Sequence, residues 1–438
     1  MPIRSNTSRF VAPMQNKPFP LYAAEAANAI GATLLTVGLP FYMSHRFGWG
    51  AKENFAVAAL QGVLYMFGAL SAQRISHRWG SRRSLLALYA GATVLAFAVG
   101  ISASMAWAVA AALLVVVESG LMAASWPMLE SLISAAGEPL GLSKRLGCYN
   151  IVWATTGAIS VAASGAIIQH TPAWVFFGIV AAGHLLAGAI VFKRIHPAPA
   201  LADNFEPSGS APCPESECSN GIRGTIDAAD ARRHRLALWL SRIALPSTYV
   251  IIYSLAPALP SLHAIRQLSP TIATVVASIW LVARAGAFIV TGSTTFWHKR
   301  PGLMLLASIT MLFAFIGTIV PGTLTQLGLF QALLAMAVAQ IVLGLSLGTI
   351  YAASLYFGMA VSDGSTEHGG YHESLIGLGQ ILGPLVGATT QWIHPGALWP
   401  AVIAISGLVS VTVAVEAVVG ARITRRNDVL PRPDRLSA

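Results

Sequence analysis

Residues 195–234 read IHPAPALADNFEPSGSAPCPESECSNGIRGTIDAADARRH, and the fold of the chain turns on this stretch. Pro197, Pro199, Pro207, Pro212 and Pro214 are mixed with Ser, Gly, Asp and Glu. Such a composition buries too little apolar surface to make a core and reads as a linker. Everything around it is different, because the 438-residue chain as a whole is 55% hydrophobic. Working outward, apolar segments of about 20 residues, enough to cross roughly 30 Å of hydrocarbon, fall at 22–44, 53–73, 84–104, 107–135, 145–168 and 173–193 before the linker. After it they fall at 236–259, 270–293, 302–320, 327–360, 371–392 and 397–419. The expected fold is an all-α membrane protein of twelve transmembrane helices in two six-helix halves. Its expected parts are an N-terminal segment at 1–20, one half at 21–194, the linker at 195–234, the second half at 235–420 and a tail at 421–438.

Charge orients these spans. Of 27 Lys and Arg residues, twenty-two lie in alternate gaps on one side; Arg46, Lys52 and Arg266 lie on the other, and only Arg242 and Arg284 lie within spans. Positive charge marks the cytoplasmic side, so both termini and the linker are expected in the cytoplasm and the protein in the cytoplasmic (inner) membrane. The net charge of +10 sits in short clusters suited to anionic lipid headgroups, which excludes a nucleic-acid role. Residues 1–20 have no apolar core for a cleavable signal, so the first span is expected to serve as the insertion signal. Cys213 and Cys218 fall in the cytoplasmic linker, where a disulfide is not expected. No P-loop, G-x-S-x-G or paired metal motif occurs, so neither catalysis nor a cofactor or resident metal is expected.

The two halves repeat weakly. The second span ends in His77-Arg78-Trp79-Gly80-Ser81-Arg82-Arg83 and the eighth in Trp297-His298-Lys299-Arg300-Pro301-Gly302, while Gly120 in the fourth span matches Gly344 in the tenth. Two such halves suit a transporter that rocks around a central site. With these features the chain resembles the major facilitator superfamily over nearly all of its length. The family's signature after span two, G-x-x-x-D-R-x-G-R-R, is met by Arg78, Gly80 and Arg82, with Gln73, His77 and Ser81 as departures. The resemblance implies a gating role for Arg78, Gly80 and Arg82, with the usual gate contact altered by His77; positive-inside anchoring is the plainer alternative. Gly379-Gln380-Ile381-Leu382-Gly383-Pro384-Leu385-Val386-Gly387 resembles the antiporter motif G-x-x-x-G-P-x-x-G, but lies in span eleven, not five. Gly383 permits close helix approach and Pro384 a bend, so both are gating candidates, and packing alone is the alternative.

Charges at membrane depth cost about 2.5–3.5 kcal/mol each and usually face a pathway. Glu118 lies eleven residues past Trp107, roughly 16 Å deep at 1.5 Å per residue. It is a candidate proton carrier, with a static ion pair as the alternative. Glu25 and Asn28, one turn apart on span one, join it as candidates for coupling and for solute binding; the resemblance implies that spans one and four share a cavity. Arg284, deep in span eight, cannot lose its charge and needs a carboxylate or an anionic ligand. Arg242 is able to snorkel. Tyr249 and Tyr253 share a face of span seven, and Tyr351 follows Gly344 and Gly348 in span ten, which completes the candidate solute site. The run from Asp363 to Glu373 reads as a flexible loop whose carboxylates suit pairing with the Arg cluster at 74–83, with divalent-metal binding by its His, Asp and Glu as the lesser alternative. His372 and Glu373 fall at the start of span eleven, favoured by the helix dipole. The function expected is secondary active transport of a small organic solute by a monomer in the lipid bilayer, with protons as the coupling ion. A hydrophobic-drug exporter, a non-transporting membrane sensor and a lipid-acting enzyme are the alternatives.

Overall fold

The computed structural model describes residues 18–136, 141–195, 228–362 and 364–429. Most of the linker, Cys213, Cys218, Asp363 and both terminal segments lie outside the described residues. Twelve long helices follow one another: α1 Phe19–Phe47, α2 Ala51–Trp79, α3 Ser81–Ser104, α4 Ala108–Ala135, α5 Leu142–His170 and α6 Ala173–Arg194. Beyond the linker come α7 Ala228–Ala258, α8 Pro270–Ser293, α9 Gly302–Thr323, α10 Leu329–Val361, α11 Thr366–Ile393 and α12 Trp399–Val429. Eleven of these are long and apolar enough to cross a membrane; α11, diluted by Gly, Thr and Gln, is the exception. No strand occurs among the described residues, as expected where a bilayer cannot satisfy an open strand edge. Apolar side chains such as Phe67, Phe97, Phe192 and Phe313 are left exposed on the outside, where acyl chains take the place of water.

The weak repeat is visible in the packing. The halves meet along α2 with α11 and along α5 with α8, while α2 packs on α4 and α8 on α10 within each half. Gly120 lies against the Leu64 carbonyl, and its counterpart Gly344 against the Trp280 carbonyl. A Cβ at Gly344 would strike that carbonyl, and one at Gly120 would press on its carbonyl at 3.1 Å, so small residues suit both positions.

Three helices depart from regularity. In α1 a π-helical turn, Leu34–Gly38, precedes Pro40. Beyond it Tyr42 packs on Phe176 and Phe177, with ring centroids 5.1 and 4.9 Å away. α8 breaks at Ser278. α11 begins at Thr366, earlier than the 371 read from the sequence, because Ser365 Oγ accepts a hydrogen bond from the Glu367 N–H at 3.1 Å and caps the helix. The expected loop glycines Gly369 and Gly370 are helical and buried, so His372 and Glu373 stand inside the bundle and not at its surface.

Candidate functional site

A cavity of about 80 Å³ lies between the halves. That is well under the roughly 300–1,000 Å³ of a ligand-sized pocket, so a solute fits only when the walls move. Glu25, Arg284, Tyr249, Tyr253 and Tyr351 all line it, as the sequence suggested, together with Tyr65, Trp126, Trp153, Trp280 and Glu373. Asn28 and Glu118 do not.

Those two stand behind the wall in a buried polar chain. Trp126 Nε1 donates to Glu25 Oε1 at 3.1 Å, and Asn28 Nδ2 donates to Glu25 Oε2 at 3.4 Å. Asn28 Oδ1 lies 3.2 Å from His184 Nδ1, and His184 Nε2 lies 2.9 Å from Glu118 Oε1. Glu118 and His184 are fully enclosed. The expectation that Glu118 looks into the cavity is therefore corrected: its side chain points from α4 towards α6, where His184 answers it. Space for that imidazole exists because Gly31 has no side chain; a Cβ there would sit 2.7 Å from His184 Nε2. With Nδ1 donating to Asn28, the pair is either imidazolium with carboxylate or imidazole with carboxylic acid, and both forms keep the 2.9 Å contact satisfied.

Arg284 is arranged differently. Its guanidinium lies 4.4 Å from the Trp153 ring centroid and 4.9 Å from that of Trp280, and the side chain is only 6% exposed. Among the described residues it has no carboxylate partner and no hydrogen-bond acceptor, and its buried Nε is unsatisfied. A desolvated cation over a Trp face gains about 2 kcal/mol, which offsets part of the burial cost but fills none of five N–H donors. Nearby, Tyr249 and Tyr253 stack with centroids 6.0 Å apart, and Tyr351 packs against Trp153 at 5.4 Å.

The signature residues after α2 stay within the first half. Arg78 and Gly80 are exposed, and Gly80 takes φ 77° with open space around it, a left-handed turn that favours glycine. Arg82 donates to the Phe192 carbonyl at 2.7 Å and lies over the Phe192 ring, tying the start of α3 to the end of α6. Gly383 faces Val250 and Ser254 of α7, and Pro384 lies inside α11. Arg242, half-buried, lies midway along α7.

The sequence reading passed over several residues of the site. His184 is a lone titratable group in an apolar span, a signal available in advance. Glu130, buried on α4, was another. Tyr351 Oη donates to Glu130 Oε1 at 3.5 Å, and Tyr65 Oη donates to Glu373 Oε2. The tryptophans that hold Arg284 left no mark in a hydropathy profile.

No curated protein sequence matches the chain. Among solved structures it is similar to a point mutant of the nucleoside transporter NupG, with a TM-score of 0.63 at 13% identity, covering 92% of this chain and 99% of that one. A second structure of NupG gives a TM-score of 0.60 at 11% identity, with 92% and 98% covered. At such identity the likeness shows a shared fold. The sequence pattern described as Major Facilitator Superfamily matches residues 21–370, and with two helical halves around a central cavity, the chain belongs to that superfamily and is an integral membrane transporter.

Proposed function

We propose that the protein is a secondary active transporter that moves a small organic solute with an anionic or strongly electron-rich group, by alternating access between its halves. The observation that carries this reading is Arg284, a permanent cation in the cavity wall without an acceptor among the described residues. A buried guanidinium presents a planar fork that matches carboxylate or phosphate, and the aromatic walls suit a flat or apolar body attached to such a group. Protons are the coupling ion in this reading. Glu25 carries them, because it is the carboxylate that both lines the cavity and joins the chain through Asn28 to His184 and Glu118. Glu118 acts through that chain and holds α4 to α6. Asn28 positions Glu25 and does not touch solute. The basic end of the bundle, with Arg78, Arg82, Lys193 and Arg194, faces the cytoplasm of the inner membrane, and the protein works as a monomer. The tryptophan-rich wall also favours a second reading, an exporter of hydrophobic drugs; the unpaired cation weighs against it.

The deciding experiment uses purified protein in liposomes, with anionic, zwitterionic and neutral solutes offered under an imposed pH gradient. Anionic or zwitterionic solutes should accumulate, and Glu25→Gln should abolish accumulation while downhill exchange persists. Uptake of neutral apolar compounds alone, or undiminished accumulation in Glu25→Gln, would overturn the corresponding half of the proposal.

A further inference from the structure

A second buried cluster lies towards the basic end, apart from the His184 pair and bordering the central cavity, whose wall Glu373 shares with Arg284. Glu130 on α4 and His372 and Glu373 on α11 place one potential ligand atom each within 4.8 Å of one another, and all three side chains are buried. Each is held from behind by a neutral partner. Tyr65 of α2 donates to Glu373 Oε2, Tyr351 of α10 donates to Glu130 Oε1 at 3.5 Å, and Ser354 Oγ of α10 lies 3.1 Å from His372 Nδ1. What remains unsatisfied is one atom on each of two residues: Glu130 Oε2 and His372 Nε2 are enclosed and have no hydrogen-bond partner. Two carboxylates facing each other in a low-dielectric interior cannot both stay ionised unless positive charge, a shared proton or a cation, lies between them.

We infer that Glu130, His372 and Glu373 form a binding site for a divalent first-row metal ion such as Mn²⁺ or Zn²⁺. Two carboxylate oxygens and an imidazole nitrogen are a hard-to-borderline donor set that suits these ions. Modest side-chain rotation closes the present spacing onto metal–ligand distances of about 2.0–2.2 Å. A dication with two carboxylates is neutral overall, which suits a buried place. The outer partners have the form of a metal site's supporting shell, in which hydroxyls orient the carboxylates and the second imidazole nitrogen is engaged so that the first is free. The approach is made possible by glycine: a Cβ at Gly369 would lie 3.1 Å from Pro127 Cα and 3.2 Å from Glu130 Oε2. Because Glu130 belongs to the first half and His372 and Glu373 to the second, the ion spans the division between them. It is bound only while the basic ends are together, so binding favours that state by linkage.

The test is titration of purified full-length protein with Mn²⁺, followed by electron paramagnetic resonance, and with Zn²⁺, followed by calorimetry. One saturable site per chain is expected. Glu130→Gln and His372→Gln should each weaken it at least tenfold, and Glu416→Gln, a buried carboxylate outside the cluster, should leave it unchanged. Should Glu130→Gln fail to fold, Ser354→Ala keeps all three ligands and should still weaken binding about tenfold or more by freeing His372 Nδ1. Absence of saturable binding, or equal affinity in the His372→Gln and wild-type proteins, would overturn the site.

Discussion

Both halves of this transporter bury charge at membrane depth, and they treat it in opposite ways. In the first half Glu118 is met by His184 at 2.9 Å, His184 by Asn28 and Asn28 by Glu25. In the second half Arg284 is met by two tryptophan faces and by no acceptor among the described residues. In the first arrangement each charged residue has a side-chain partner without a solute, although Glu118 Oε2 itself is unsatisfied; in the second Arg284 has none among the described residues. A matched buried pair fixes helices relative to one another, whereas an unmatched permanent charge in a cavity wall is kept only where a partner arrives from elsewhere.

Breaking the matched pair should have the largest effect. Glu118→Ala leaves His184 buried without its partner, and a loss of about 3–5 kcal/mol is expected, read as poor yield and a lowered Tm. The double variant Glu118→Leu with His184→Leu should recover most of it, since apolar replacement of both partners is often neutral. A fully stable Glu118→Ala protein would erase the contrast between the halves. A smaller loss, about 1–3 kcal/mol, is expected for Gly31→Ala, whose added methyl presses on the imidazole; thermal unfolding would measure it, and an unchanged Tm would show that His184 is free to shift. On the other side of the comparison, Arg284→Lys should leave Tm nearly unchanged but weaken solute binding more than tenfold, about 1.4 kcal/mol or more, because an ammonium cannot reproduce the fork. A stability loss with intact affinity would mean that Arg284 has a fixed partner after all. Smallest is Trp153→Phe, expected to reduce affinity by the equivalent of about 0.5–1 kcal/mol through a weaker cation–π contact, measured by the same binding titration.

Depth was legible in the sequence and direction was not. Hydrocarbon thickness sets the length of every span, and eleven of the twelve long helices meet that requirement by length and composition alone. Rise per residue likewise set Glu118 and Arg284 well below the surface. Which way a side chain points around its helix depends on neighbours far along the chain: Glu118 faces α6 because His184 and Gly31 make room there. The Glu25–Asn28 contact was legible because i,i+3 spacing is local. Glu373 was misread through a boundary. A start at 371 put it at the headgroups as a dipole partner, but the Ser365 cap begins the helix at Thr366 and carries it inside. Arg82 was legible as a signature residue, yet its contact with Phe192 required α3 and α6 to be placed side by side.

The π turn at Leu34–Gly38 makes α1 a jointed rod. Pro40 has no N–H to offer the carbonyl one turn back, so the wide turn and the missing bond coincide at a single level, and Thr36 and Val37 within it line the cavity. Beyond the joint, Tyr42 is anchored in the Phe176–Phe177 cluster; before it lies the segment that bears Glu25. If the surplus residue were drawn back into an ordinary α turn, the Glu25 segment would swivel by about 100°, one residue's share of a 3.6-residue turn, while the aromatic anchor stayed in place. The carboxylate would then face a different set of neighbouring helices at nearly the same depth.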